Sequence, residues 1–377
     1  MRPSFPASAL LLPGLLTACS DGAREDSAAA QAVQSADFED FDAVVSDFVD
    51  EQALEGAVAV VVHRSHGLVH AKGYGTFKQD RVFLAGFASK ILSAGVLLAL
   101  EDAGKLDLDA PIGTYLADWG TDKSNLTLAS LLSNSSGLVS LAEEPLYAPY
   151  LCQYQETQAL SECAETIYTA SDQADIRPPD TLFSEGGAQW QLAGGIAEVA
   201  SGKPWLELID SIYAVPCGLH SLGYTNPFAR ATQADGASYP AFFQAESPAS
   251  HGTPNPSIEG GAYLTADDYA AVLLMHLRGG VCGQARVLSE AAVARMQEDR
   301  IAQVYQGTAG DENSGYGLGW WVDRGQEGVF YDPGAYGSMA WLDTRRGYGA
   351  FLALEATSED GRALTRRVKP VLDGLFD

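Results

Sequence analysis

Residues Ile91–Leu100, "ILSAGVLLAL", are apolar nearly all the way round when wound as a helix. Such a helix offers no face to water and has to be enclosed on every side. The rest of the chain must therefore build a core wide enough to take one helix whole. With 377 residues, 46% of them hydrophobic, it has the material for one large domain or two ordinary ones.

The flanking segments show what could enclose it. Phe38–Leu54 has helical spacing, with Phe41, Val44, Val45, Phe48 and Val49 on one face. Ala57–Val62 and Gly67–Gly73 are β-rich runs around "HRSHG" and read as a hairpin. Residues 126–260 mix short helical pieces with loops rich in Ser, Pro and Gly. Helices follow at Ala266–Leu277, entered through Thr265, and Leu288–Asp299, entered through Ser289; both entry residues are N-cap types. Tyr316–Val322, Gly328–Tyr331, Gly337–Leu342 and Tyr348–Glu355 have strand character, and Gly361–Phe376 closes as a helix. The economical fold is α+β: one antiparallel sheet built from both chain ends and flanked by helices, with a mainly helical subdomain inserted. The expected domain is 38–377, with a sheet part at 38–85 and 262–377 and a helical part at 86–261.

Charge and the N-terminus bear on address. A net charge of −26, from 23 basic and 49 acidic residues, repels nucleic acid and anionic headgroups. No nucleic-acid partner is expected. "MRPSFPASALLLPGLLTACSDG" has one positive charge, an apolar run too short to span a bilayer as an ordinary helix, and small residues before Cys19. It reads as an export signal over 1–19. Leu16-Thr17-Ala18-Cys19 resembles a bacterial lipobox, which implies acylation of Cys19; the other reading is a plain signal peptide cleaved nearby. The expected product is a periplasmic or cell-surface lipoprotein that meets the membrane only through its anchor. Residues 20–37 are small, polar and Ala-rich, as in a flexible tether. Cys152, Cys163, Cys217 and Cys282 remain, and an exported chain can pair them in three ways. We favour Cys152–Cys163 with Cys217–Cys282; four buried thiols are the alternative. No cysteine or Cys/His cluster has zinc spacing, and neither metal nor cofactor is expected.

Six pieces in order carry a resemblance: "GFASKILSAGVLLALEDAGKLDLDAPIGTYL", "LTLASLLSNSSGL", "FSEGGAQWQLAGGIAEVASGKPWLELI", "NPSIEGGAYLTADDYAAVLLMHLRGGV", "YGLGWWV" and "DPGAYGSMAWLD". Together they are similar to the serine β-lactamase-related proteins, comprising class C β-lactamases, DD-peptidases and esterases of the same fold. The resemblance runs from about residue 40 to 376 and implies the β-lactamase/transpeptidase-like fold. It also implies a serine hydrolase chemistry resting on three motifs. In the first, Ser-x-x-Lys at a helix N-terminus, the lysine one turn on takes the proton of the attacking serine. The second is Tyr-x-Asn or Tyr-Gly-Gly, and the third is Lys/His-x-Gly on a facing strand.

This chain departs from all three. "GFASK" puts Phe87 at the serine and keeps Lys90; no serine anywhere precedes a lysine by three positions. Ser89 cannot substitute, being about 200° round the helix from Phe87. The second motif reads Glu185-Gly186-Gly187 and the third Asp332-Pro333-Gly334. The backbone donors that the resemblance implies for an oxyanion hole fall on Phe87 and Ala335, neither a proline. Gly187, Gly334 and Tyr336 would line the pocket. Glu185 beside Lys90 would favour both charged forms, with Asp332 adding to the effect. Lys90 then becomes half of a buried or half-buried ion pair rather than a base.

Three readings follow. The first is a degenerate member of the family that binds a small molecule or peptide in the cleft, or serves as a scaffold. The second is hydrolysis by a rewired route, with Glu185 and Asp332 as acid and base; a variant uses Ser135 or Ser136 of "SNSSG", a loop that resembles the family's structural "HTSG". The third is metal binding by His63, His66 and His70, against the plainer reading of a solvated hairpin. The aromatics Trp320, Trp321, Tyr336 and Trp341 read mainly as sheet packing, with Tyr336 and Trp341 placed to line a cleft.

Overall fold

A computed structural model describes residues 37–120, 123–141, 143, 144, 146–229, 239, 240, 243 and 252–377. The expected leader, Cys19 and all but the last residue of the expected tether lie outside the described residues.

The chain opens with α1 (Glu39–Glu51), β1 (Gly56–His63), β2 (Gly67–Gly75) and the short β3 (Val82–Leu84). A 3₁₀ turn at Gly86–Ser89 leads into α2 (Lys90–Asp102). The middle holds α3 (Leu160–Tyr168), α4 (Gly187–Ser201) and β4 (Gly223–Tyr224), followed by β5 (Ala262–Thr265) and α5 (Ala266–Leu277). The end brings β6 (Ser314–Tyr316), β7 (Trp321–Asp323), β8 (Val329–Pro333), β9 (Met339–Asp343), β10 (Tyr348–Leu354) and α6 (Ser358–Leu375). The fold is α+β, with a seven-stranded sheet in the order β2-β1-β10-β9-β8-β7-β6 whose neighbours are all antiparallel. β1 pairs with β10 from Ala57↔Leu354 to His63↔Tyr348, so the two ends of the domain meet at the sheet.

β1 is buried on both faces, and its alternation divides two cores. Ala57, Ala59 and Val61 pack with Phe41, Val45 and Phe48 of α1 and Leu364, Val368 and Leu372 of α6. Val58, Val60 and Val62 face the larger core, which contains α2 and α5. Lys90 through Leu98 are all buried in α2, as the all-round apolar run requires. Tyr269 of α5 stacks on Phe351 with ring centroids 4.0 Å apart and donates a 2.8 Å hydrogen bond to the Ala88 carbonyl, tying sheet, α5 and the turn before α2. The expected N-caps at Thr265 and Ser289 accept from the Asp268 and Ala292 amides.

One strand differs from expectation. Tyr316–Val322 is two strands joined by a turn, because the Gly317 amide donates to the Trp320 carbonyl and Gly319 adopts a positive φ of 84°. The disulfides are Cys152–Cys163 and Cys217–Cys282, the favoured pairing. Among the described residues no helix is long and apolar enough to cross a membrane.

The fit around α2 is tight at Gly95, where an added Cβ would lie 1.8 Å from the buried Tyr213 hydroxyl. Gly95→Ala must displace that ring, and overpacking of this kind costs about 1–3 kcal/mol. Urea unfolding should show the loss as a lower midpoint with an unchanged slope.

Candidate active site

Two glycines bring the first and third motif positions together. Gly334 can carry no side chain, because a Cβ would fall 2.0 Å from Ser338 Oγ and 2.5 Å from the Ala85 carbonyl. Ser338 Oγ donates to that same carbonyl at 2.7 Å, holding the end of β8 against the start of the 3₁₀ turn. Gly86 adopts a φ of +56°, where other residues are strained, and a Cβ on it would lie 2.8 Å from the Ala335 amide nitrogen. Ala335 thus packs against Gly86, and both Phe87 and Ala335 line the cleft. Among the described residues neither of their amides donates to a turn or loop carbonyl.

Ser89 points away from this mouth. Its hydroxyl donates to the Gly86 carbonyl at 2.6 Å and accepts from the Ala262 amide at 2.9 Å, which braces the turn against β5. Phe87 occupies the mouth itself. Its ring lies 6.0 Å from that of Phe228, centroid to centroid, and both rings border a cleft of about 420 Å³. Glu185, Trp321, Gly334, Ala335 and Arg362 also line that cleft. On its other side the aromatic pair borders a smaller cavity of about 60 Å³, lined also by Gln153, Gly187 and Glu259.

Lys90 is 1% exposed, and its Nζ donates to Glu185 Oε1 at 2.8 Å. The ammonium also sits 5.0 Å from the centre of the Phe87 ring, within cation–π range. Glu185 is held by its backbone: the Ser184 amide donates to Asn134 O at 2.7 Å and the Leu141 amide to Glu185 O at 3.2 Å. Asn134 belongs to the "SNSSG" loop, and its side-chain oxygen accepts from Gln189 and Trp190 on α4. Burial pushes the Lys90 ammonium down, but Glu185, Tyr316, Asp332 and Glu259 together raise it well above its ordinary value. Lys90 is therefore a charged ion at neutral pH. Glu185 is 37% exposed, so the pair is half-open to solvent and is worth less than a fully buried one.

Asp332 adds to the rise in the Lys90 pKa, as expected, but makes no hydrogen bond to the ammonium. It is fully buried, and among the described residues neither carboxyl oxygen has a hydrogen-bond partner; the Ile91 amide lowers its pKa somewhat without closing a bond. Burial raises the carboxyl well above the usual range, with Lys90 opposing and Glu185 and Glu259 adding to the rise. The carboxyl holds its proton more tightly than one in water and has no surface to offer a substrate.

Glu259 is the residue that sequence reasoning missed. It is 3% exposed, its Oε1 has no partner among the described residues, and it shares the electrostatics of Lys90 and Glu185. Burial raises it to about 7, with Glu185 adding and Lys90 opposing. "SIEGG" carries no spacing that marks it. The one available signal was a carboxylate within an otherwise small and apolar stretch.

The remaining candidates separate. Tyr336 is buried with Leu84, Tyr239 and Phe243, backing the cleft wall rather than lining it. Trp341 packs on the α1/α6 side and donates to the Tyr348 hydroxyl, while Trp321 is the tryptophan at the cleft. Ser135 Oγ is engaged by Ser133, Asp180 and Arg300, and Ser136 donates to Gln189. His63 meets His66 at 2.9 Å, but His70 pairs with Asp42 at 2.9 Å, opposite Val61 rather than His63. The three imidazoles do not converge.

The raised Glu259 carboxyl has a signature in stability. The folded state keeps it protonated where the unfolded chain, with its ordinary value near 4.5, has already ionised. Its contribution is fully present below pH 4.5 and is lost as pH rises through about 7. Over that window wild type should lose on the order of 3 kcal/mol relative to Glu259→Gln. Urea unfolding of both proteins between pH 4.5 and 8 reads this difference directly.

Comparison with known proteins agrees with this fold. The profile of the family described as Beta-lactamase matches residues 41–372. The chain is 27% identical over 328 residues to Penicillin-binding protein 4 of Amycolatopsis lactamdurans, covering 83% of this chain and 79% of that protein. It is 26% identical over 217 residues to Esterase EstB of Burkholderia gladioli, covering 49% of this chain and 51% of the esterase. Among solved structures, a putative beta-lactamase from Bacteroides dorei superposes with a TM-score of 0.72 at 25% identity, covering 90% of this chain and all of that one (100%). The chain belongs to the beta-lactamase family of serine hydrolase folds, which includes penicillin-binding proteins and esterases.

Proposed function

We propose that this protein is a non-acylating member of its family that binds a small-molecule or peptide ligand in the cleft beside Phe87. The observation that carries the reading is the contact between Phe87, Lys90 and Glu185. A phenyl ring has no lone pair with which to attack an acyl carbon, and the adjacent lysine is held charged by a carboxylate 2.8 Å away. The amides of Phe87 and Ala335 still offer a place for a carbonyl or carboxylate oxygen.

The alternative, hydrolysis with Glu185 and Asp332 as acid and base, is weaker. Asp332 has no exposed surface and cannot meet a substrate in the cleft. Turnover that is lost in Glu185→Gln would nevertheless favour it. Binding in an exported lipoprotein of the cell envelope is the setting we propose, consistent with a penicillin-binding protein among the relatives.

The test is covalent labelling by a fluorescent penicillin and a fluorophosphonate, with an active relative as control. Wild type should take up neither probe. Phe87→Ser alone should stay unlabelled, because Glu185 still holds Lys90 protonated. Robust labelling of purified wild type would overturn the proposal.

A further inference from the structure

The small cavity behind the aromatic pair has the chemistry of a cation site. Its wall includes Glu259, 97% or more removed from solvent at 3% exposure, with Oε1 unpartnered. Over Gly187, where a Cβ would stand, Gln153 Oε1 lies 2.3 Å away and Glu259 Oε2 3.2 Å away. Both side-chain oxygens therefore pack against the same bare glycine at the cavity wall. Phe87 and Phe228 present rings to the same space. A carboxylate, an amide oxygen and aromatic faces together favour a compact cation over an anion or a neutral group.

The local charge count points the same way. Among the described residues Lys90 is the one cation influencing Glu259, and its ammonium hydrogen bond goes to Glu185. Glu185, Asp332 and Glu259 supply three carboxyls around that single ammonium. A second positive charge would let Glu259 ionise without leaving a buried carboxylate uncompensated. The space of about 60 Å³ is several times the roughly 10–15 Å³ that one water needs, which suits a short alkylammonium group.

We propose that this cavity binds the primary ammonium end of the cleft's ligand, with Glu259 as its counter-ion and Gln153 as a second acceptor. The inference rests on the binding role proposed above and names the chemical class of what is bound. The cleft beyond Phe87 would then hold the remainder of the same molecule. Because Glu259 must ionise to receive a cation, binding and proton release are coupled. The groups that set its ionisation are Lys90 and Glu185, and it acts in turn on Tyr154, Tyr316 and Asp332.

Propylammonium is the probe, with 1-propanol as its neutral counterpart, followed by saturation-transfer NMR on the intact protein. With Glu259 titrating near 7, affinity should fall about tenfold from pH 8 to pH 6. Glu259→Gln should abolish both the binding and its pH dependence. Gly187→Ala, whose methyl would stand 2.3 Å from Gln153 Oε1 and so displace that acceptor, should weaken binding at least about tenfold without removing the Glu259 carboxylate. Equal binding of 1-propanol, no binding of propylammonium, or undiminished binding by both variants would overturn the inference. Penicillin labelling reads the non-acylating role separately: a labelled protein that still binds propylammonium through Glu259 would refute that role and leave the amine site standing.

Discussion

Lys90 sets the terms for everything near the cleft. It lies at the first turn of a helix that is buried all round, and it has 1% of its side chain exposed. An ammonium in that position needs either a counter-ion or a lost proton. A catalytic lysine base requires the second outcome, and this chain supplies the first. Glu185 closes the pair at 2.8 Å, and the Phe87 ring covers the ammonium where a hydroxyl would have accepted its attention. Once the ammonium is fixed, the other carboxyls adjust to it. Glu185 is half-open and pairs. Asp332 and Glu259 are closed off from water and retain protons more readily than carboxyls in solution.

The scaffold that creates this arrangement remains intact. Gly334 and Gly86 permit the close approach of β8 to the 3₁₀ turn, and Ser338 bonds across it. The "SNSSG" loop anchors the segment carrying Glu185 and the start of α4. Close backbone packing thus frames the cleft that carries Phe87 and Glu185. The proposed binding role draws on the cleft that Phe87, Gly334 and Ala335 line together.

Much of this was legible in the sequence, for identifiable reasons. Periodicity located α1, α2 and the β1–β2 hairpin because each has one consistent pattern of burial. The ordered motifs located Phe87, Lys90 and Glu185 because they lie on a helix start and a loop whose places the fold fixes. Other features depend on three-dimensional environment. Asp332 was legible as one more carboxyl near Lys90, but its complete burial, which raises its pKa, was not. Glu259 was invisible because its partners come from residues far along the chain. Tyr336 and Trp321 exchanged expected places because a turn at Gly317–Trp320 redirects the strand that carries Trp321. Residue type survives translation into structure; side-chain direction after a turn does not.

The central claim concerns the protonation state of one nitrogen. Heteronuclear NMR of Lys90, assigned by comparison with Lys90→Met, follows its ε-carbon and ζ-nitrogen shifts with pH. An ion-paired lysine should show the charged form unchanged from pH 6 to beyond its ordinary value of 10.5. A titration completed below about pH 8, the range of a lysine acting as a base, would contradict the account.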